Sequence, residues 1–509
     1  MRARLATWAQ ALGPVRAAFI GSLLLSFVAV QGHLVNRDGI HYLETARAFL
    51  EGGLSGEVNV GELAFLAFLP TLIAALAFVT RVSLENTALI LNALFMAGTC
   101  ALLVGITRRR LPEAAWLACL VVLAMPAYNQ YRNEILREYG FWFFSLLAFF
   151  LAMRWNDTQR WREAVFCQVA LAVATLFRQE AIAFYPALML WQAFGVPAGQ
   201  RRRRVIEIGF LLLAGVFLAA ALFGSGLLAV PHRVIYFFDA ANPLHALQVI
   251  NEAADRMSEA VFKYKYSREE AGYILFFGLL SVIPMKFLKM TGVFLVPLAY
   301  RFAVPPIRTW LAPWQPLPWA FLAYVLVLAA FVTHQFFLVG RYVSLLNLLA
   351  VPIVASGLSL LMQRFPRWKA LMLTLALLTM AANVVSLSPA KTHIVEAGRW
   401  LGAHATDPAR VGVDNARIAY YAGWRTTNAI ILDRTALATA LAEKHANMVA
   451  VETTRKDREL EKWLAENRLH VVQRFANKAG DAVVIAVPES AQPSPSTTGR
   501  SRANAASME

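Results

Sequence analysis

Apolar runs of roughly 15 to 25 residues recur along most of this chain, each close to one bilayer crossing, with short arginine-bearing loops between them. Hydrocarbon offers no partner to a backbone N–H or C=O, so such runs must satisfy their hydrogen bonds internally, as helices. The expected fold is an all-α polytopic membrane body. With 58% hydrophobic and only 16% charged residues, the sequence supports that class. The formal charge of +16 does not point to nucleic acid, because the arginines cluster in the short loops and form neither a basic domain face nor an aromatic-interleaved patch. They read as topology determinants, and Arg108–Arg110 and Arg201–Arg204 also suit contact with anionic membrane lipids.

Under the positive-inside rule the clusters at 108–110, at Arg154, Arg160 and Arg162, at 201–204, at Arg301 and Arg308, and at Arg364, Arg367 and Lys369 lie in the cytoplasm. Arg2, Arg4 and Arg16 precede the first apolar stretch without a small-x-small cleavage site after Val30, which fits an uncleaved signal anchor with its N-terminus inside. These constraints give about eleven crossings, near 15–35, 86–107, 113–131, 139–155, 164–178, 180–197, 205–227, 289–304, 317–337, 343–362 and 369–388, with the C-terminus outside. The run from Leu63 to Val79 breaks the parity and reads as re-entrant or interfacial, helped by Pro70. The expected outer segments are 36–61, about 129–138, a joint near Arg178, a long loop from about 228 to 288, the Gln335–Arg341 corner, and everything after Ser388. The long loop carries His232, Lys263 and Lys265, and its apolar second half lies in the interface or forms a hairpin of two short spans at 272–302.

From about Thr392 the pattern changes. Short β-type runs at 411–413, 430–432, 448–451, 469–472 and 482–485 alternate with helical stretches at 434–445 and 456–466, as in a small soluble α/β domain. The domain division expected is thus a transmembrane body at 1–390, an extracytoplasmic α/β domain at 391–488, and a disordered Ser/Pro/Ala/Thr-rich tail at 489–509. Cys100, Cys119 and Cys167 all fall in apolar runs, where they build neither an external disulfide nor a metal cluster.

The unusual polar residues gather on the expected outer side. Asp38 follows the first span and opens a short amphipathic segment with Ile40, Leu43, Ala46 and Leu50 on one face and Asp38, His41, Tyr42 and Thr45 elsewhere. It suits both a helix N-cap and a general base, and the two roles are compatible. The second outer segment holds Glu134, Arg137 and Glu138 at the lip of an apolar span, where helical spacing permits a structural ion-pair cluster as readily as a site. His33, His41, His232, His245 and His334 lack metal-ligand spacing. Tyr420, Tyr421 and Trp424 suit core packing better than sugar stacking.

The pattern Asp38, Tyr42, Ala46, Leu50 and Gly52 resembles the first outer loop of GT-C glycosyltransferases, in the branch with protein O-mannosyltransferases and the lipid A aminoarabinose transferase. Glu138 before Phe141-Trp142-Phe143, the Leu176–Ala181 joint, and Gly340-Arg341-Tyr342 opening a span that reaches Pro352 follow the same order. The resemblance implies transfer of a sugar from a polyprenyl-phosphate donor to an acceptor on the outer face of a bacterial-type inner membrane, with inversion. Asp38 would be the base, Glu138 the second acid, and Glu134 and His41 supporting residues. The donor phosphate and sugar would meet Arg341, Arg178, Arg137, Tyr42, Lys263 and Lys265, with Lys286 and Lys289 behind them. The acceptor would be a lipid, a glycan or a protein. No cofactor is implied, and Asp38 without an adjacent Glu in the first loop gives a bridging divalent metal no support.

Two other classes remain open. A transporter or flippase of polyprenyl-linked substrates calls for inverted repeats and mid-span polar residues, and neither pattern stands out here. A glycan polymerase or ligase depends on a large Arg- and His-rich outer loop, for which 228–288 is the candidate; Asp38 in the first loop argues against it.

Overall fold

A computed structural model describes residues 2–58, 68–225, 242–304, 306–386 and 389–489. The expectations for His232, for the start of the apolar run at 63–67 and for the tail at 490–509 lie outside these residues. The chain forms two compact units, one of Met1–Gln31 with Phe65–Ser386 and one of Gly32–Ala64 with Leu387–Glu509. The segment carrying Asp38 therefore groups with the C-terminal domain, whereas the sequence suggested a single boundary near 390.

Among the described residues of the first unit, six helices are long and apolar enough to cross a membrane: Leu12–Val30, Leu84–Arg110, Ala198–Leu222, Ala271–Ala303, Leu317–Gln335 and Gly340–Arg364. The other expected crossings are also helical, at Ala115–Ala124, Glu138–Thr158, Trp161–Phe177, Phe184–Gly195 and Lys369–Val384. Phe68–Thr80 has 13 residues, about 20 Å at 1.5 Å per residue, and falls short of a roughly 30 Å hydrocarbon core.

The long loop differs from expectation. Its second half does not stop short of a helix beginning at 289, because Ala271–Ala303 is one apolar helical run of 33 residues. Nor is it a hairpin, since the segments on either side of the Gly292–Phe294 turn do not pack along each other. Gly292 takes φ +59° there, a conformation open to glycine, and turns the chain without pairing the two halves.

Charge divides the membrane unit into two ends. At one, Asp157 pairs with Arg109 at 3.1 Å and with Arg110 at 2.9 Å, and Arg154 pairs with Glu163 at 2.7 Å. Arg204 donates to Asn156 at 3.1 Å and lies over the Trp155 ring. Three arginine clusters that the sequence assigned to one side thus meet at one end of the helices.

In the second unit, β1 (Val411–Val413), β2 (Ile430–Ile431), β3 (Met448–Thr453), β4 (Leu469–Ala476) and β5 (Ala482–Pro488) form one sheet in the order β2-β1-β3-β5-β4. β1 runs parallel to β2 and β3, while β5 is antiparallel to β3 and β4. Ile394, Leu401, Val413, Ile418 and Ile485 fill the core on one side, and Tyr421 and Trp424 pack against it.

The helix Arg37–Val58 docks within the same unit. The Val35 backbone N–H donates to the Tyr421 hydroxyl at 3.1 Å, and Arg417 donates to the Val35 carbonyl at 3.0 Å. Glu44 accepts from the Thr426 backbone N–H at 2.8 Å and from its hydroxyl, and Arg425 pairs with Glu51. Two expectations change. Leu50 is 44% exposed while Glu44 and Thr45 are buried, because Thr426 supplies the donors that let a carboxylate enter. The helix also begins before Asp38: the Asn36 carbonyl accepts the Ile40 N–H at 3.0 Å, so Asn36 holds the cap position.

Near the C-terminal ends of β1 and β3, both Asp414 oxygens accept the Glu452 N–H, at 2.8 and 2.9 Å. Burial raises the Asp414 carboxyl to about 6, against the opposing pull of that N–H and of Arg434. His393 is fully buried, and burial lowers it from the usual imidazole range although Glu452 and Asp481 pull the other way.

Candidate active site

Glycine sets the site. A methyl group on Gly140 would lie 2.4 Å from the Phe177 ring, so only glycine lets the start of Glu138–Thr158 meet the end of Trp161–Phe177 this closely. The residue after Phe177 is Arg178, and two before Gly140 is Glu138; the close approach brings them together. Arg178 Nη1 donates to Glu138 Oε1 at 2.8 Å, and both side chains are only 4% exposed. Gly340 works likewise, since a methyl there would lie 2.6 Å from the Tyr131 hydroxyl. It brings the N-terminus of Gly340–Arg364 into the same corner.

Arg341 then reaches both acids, with Nε 3.3 Å from Glu138 and Nη1 3.8 Å from Glu134. Arg178 also pairs with Glu180 and lies 4.3 Å from the centre of the Tyr342 ring. Tyr342 is held in turn by its carbonyl, which accepts from the Tyr324 hydroxyl at 2.9 Å. The second oxygen of Glu138 is buried with no hydrogen-bond partner among the described residues.

The electrostatics are uneven. Glu138 lies in a helix's first turn and Arg178 caps a helix C-terminus, so the helix dipoles favour both charges. Arg341 lies in the first turn of its helix, where backbone N–H groups and the guanidinium together attract an anion. Arg178 is the tightly held cation, while Arg341 is 19% exposed and its ion pairs are longer.

The other sequence candidates divide. Glu134 and Glu138 join Arg178 and Arg341, and the charge of Arg137 acts on Glu180. Lys263 and Lys265 stand apart: both are exposed, and Lys265 pairs with Glu269 one turn on, at 3.7 Å. Asp38, His41 and Tyr42 belong to the second unit; Asp38 is half-buried in the first turn of its helix, and the His41 carbonyl accepts from Thr45 at 2.9 Å.

Sequence reasoning missed Glu180 and Tyr342 as members, although both stood in segments already singled out. It also missed Arg132, which is buried and donates to Ser22, Ser26 and Asn129. Its neutral partners lie more than a hundred residues away or within one loop, and no charge pattern could announce them.

The structure thus defines a multi-helix body, apolar enough to cross a membrane, with a buried carboxylate–guanidinium site and a small α/β unit. No protein-family model and no curated protein matches the chain. Among solved structures it is similar to ArnT from Cupriavidus metallidurans in the apo state, with 15% identity over 96% of this chain and 100% of that one and a TM-score of 0.44. It is similar to the same protein bound to undecaprenyl phosphate, with 14% identity over 93% and 98% and a TM-score of 0.40.

Proposed function

We propose that this chain is an integral-membrane glycosyltransferase that moves a sugar from a polyprenyl-phosphate donor to an acceptor hydroxyl on the outer face of the membrane, with inversion. The observation that carries the reading is the pair of guanidiniums, Arg178 and Arg341, held on Glu138 at one end of an apolar helical body. Breaking a sugar–phosphate bond leaves growing negative charge on the phosphate, and fixed cations in a water-poor site stabilise it without reorganising. Arg341, with its longer ion pairs and greater exposure, takes the donor phosphate in place of Glu134. Arg178 stays on Glu138. Arg137 contributes positive field, and Tyr342 gives Arg178 a face to lie on.

Asp38 is the general base: it accepts the acceptor hydroxyl's proton as the oxygen attacks the anomeric carbon and the phosphate departs. The sequence resemblance supports this role, and Asp38 lies in the first turn of its helix. His41 and Tyr42 flank it. Lys263 and Lys265 stand behind Arg341 and Arg178 as further cations for the donor phosphate. The acceptor remains one of three chemical classes: lipid, glycan or protein.

Membranes holding wild type or Asp38→Asn, supplied with radiolabelled polyprenyl-phosphate sugars, test the reaction. Transfer falls at least about a hundredfold if Asp38 is the base. Retained transfer by a well-expressed Asp38→Asn protein sinks the mechanism. A reporter fused after Ser388 that reads as cytoplasmic would overturn the side assigned.

A further inference from the structure

The opposite end of the membrane unit holds a groove that the proposed reaction does not use. It has a volume of about 560 Å³, within the span of about 300–1,000 Å³ typical of sites for small molecules. Its apolar walls include Phe19 of the first helix, Phe143 and Phe150. Gly98 and Gly105 form its floor, seven residues and so about two turns apart on the Leu84–Arg110 helix. A methyl on Gly105 would meet nothing within 4 Å, whereas one on Gly98 would strike Phe143.

Arg108 and Arg109 line the same groove. From Gly98 to Arg108 the helix rises about 15 Å, half of a roughly 30 Å hydrocarbon core and hence one leaflet deep. Arg109 is engaged by Asp157, but exposed Arg108 has no ion pair among the described residues. An apolar slot one leaflet long, ending in an unneutralised guanidinium, has the charge and shape of one lipid.

We propose that this groove is a binding site for an anionic membrane phospholipid, with one acyl chain lying over Gly98 and Gly105 and the headgroup phosphate on Arg108. The site shares no residue with the polyprenyl-phosphate reading.

The test uses the full-length protein, purified and exposed to equimolar phosphatidylglycerol and phosphatidylcholine, with bound lipid counted by native mass spectrometry. Wild type retains phosphatidylglycerol over phosphatidylcholine by about fivefold, as one surface arginine near an anionic lipid warrants. Gly105→Phe puts a ring into open groove space and abolishes retention of both lipids, with thermal unfolding unchanged or improved. Arg108→Gln retains lipid but loses the preference. Equal retention of the two lipids by wild type overturns the proposal, as does undiminished binding by a folded Gly105→Phe protein. Replacement of the phospholipid by added polyprenyl phosphate also overturns it, because it would make the groove a donor site. Should Gly105→Phe fail to fold, Arg108→Gln, changed at an exposed position, decides alone.

Discussion

The two ends of the membrane unit both hold arginines on carboxylates, yet they differ in depth. At one end, Arg178 and Glu138 are each 4% exposed; at the other, Arg109, Arg110 and Asp157 are 25–36% exposed. A pair near water gains little, and its charges are screened. A buried pair has surrendered its hydration, and its members depend on each other. The shallow end therefore looks built for orientation in the membrane and the deep end for chemistry. The difference also sets an order of sensitivity.

The largest effect is expected at Arg178. Removing one member of a buried pair leaves its partner charged and dry, which costs about 3–5 kcal/mol. Arg178→Ala leaves Glu138 with only its longer contact to Arg341 and is expected to lower the yield of folded protein and the unfolding temperature in detergent. Arg178→Ala with Glu138→Ala should recover much of that loss. If the double variant is no better than the single one, the pair is not the unit of stability assumed here.

Arg341 should separate stability from function. Its longer, half-open contacts predict a small stability loss for Arg341→Gln, within about 1 kcal/mol. Sugar transfer should fall about 10²–10³-fold, as when one preorganised charge-stabilising donor is removed. An Arg341→Gln protein with normal turnover would remove the phosphate from this corner.

Much of this corner was legible in the sequence. Glu138, Arg178, Gly340 and Arg341 were readable because charge beside an apolar run stands out, and the arginine clusters foretold which helix ends would meet. All five strands of the C-terminal domain were visible as β-branched runs between turn residues. Other features depended on contacts distant in sequence. Glu44 is buried because Thr426, 382 residues away, supplies its donors. Gly140 is explained by the Phe177 ring against it. The run 271–303 differed because only the structure shows that Gly292 turns the chain without packing the two segments along each other.

A third setting, intermediate in depth, is Asp414 in the C-terminal unit. Burial holds its carboxyl near 6, above the value of about 4 for a free carboxyl. Folding thus takes up a proton, so the stability that Asp414 contributes is present below about pH 4 and lost as pH rises through 6. Asp414→Asn is therefore expected to be more stable than wild type at pH 7, on the order of 1–2 kcal/mol, with the gap closing as pH falls to 4. His393 has the opposite sign: its contribution is present above about pH 6.5 and lost on acidification. Pulse proteolysis in urea across pH 4–8 measures the gap. A difference independent of pH would mean that Asp414 is not the titrating group.

The smallest effect belongs to Asp157, and its smallness is the point. It joins two arginines, at 2.9 and 3.1 Å, so by contact geometry alone it rivals Glu138. Yet all three side chains are partly hydrated, and Asp157 lies in the last turn of its helix, where the dipole disfavours an anion. Asp157→Ala should cost at most about 1 kcal/mol and leave sugar transfer unchanged. Freed of Asp157, Arg109 and Arg110 add to the positive charge at that end, so the orientation of the chain in the membrane should be kept. A loss comparable with that of Arg178→Ala would erase the contrast between the two ends and place a second buried network at the arginine-rich one.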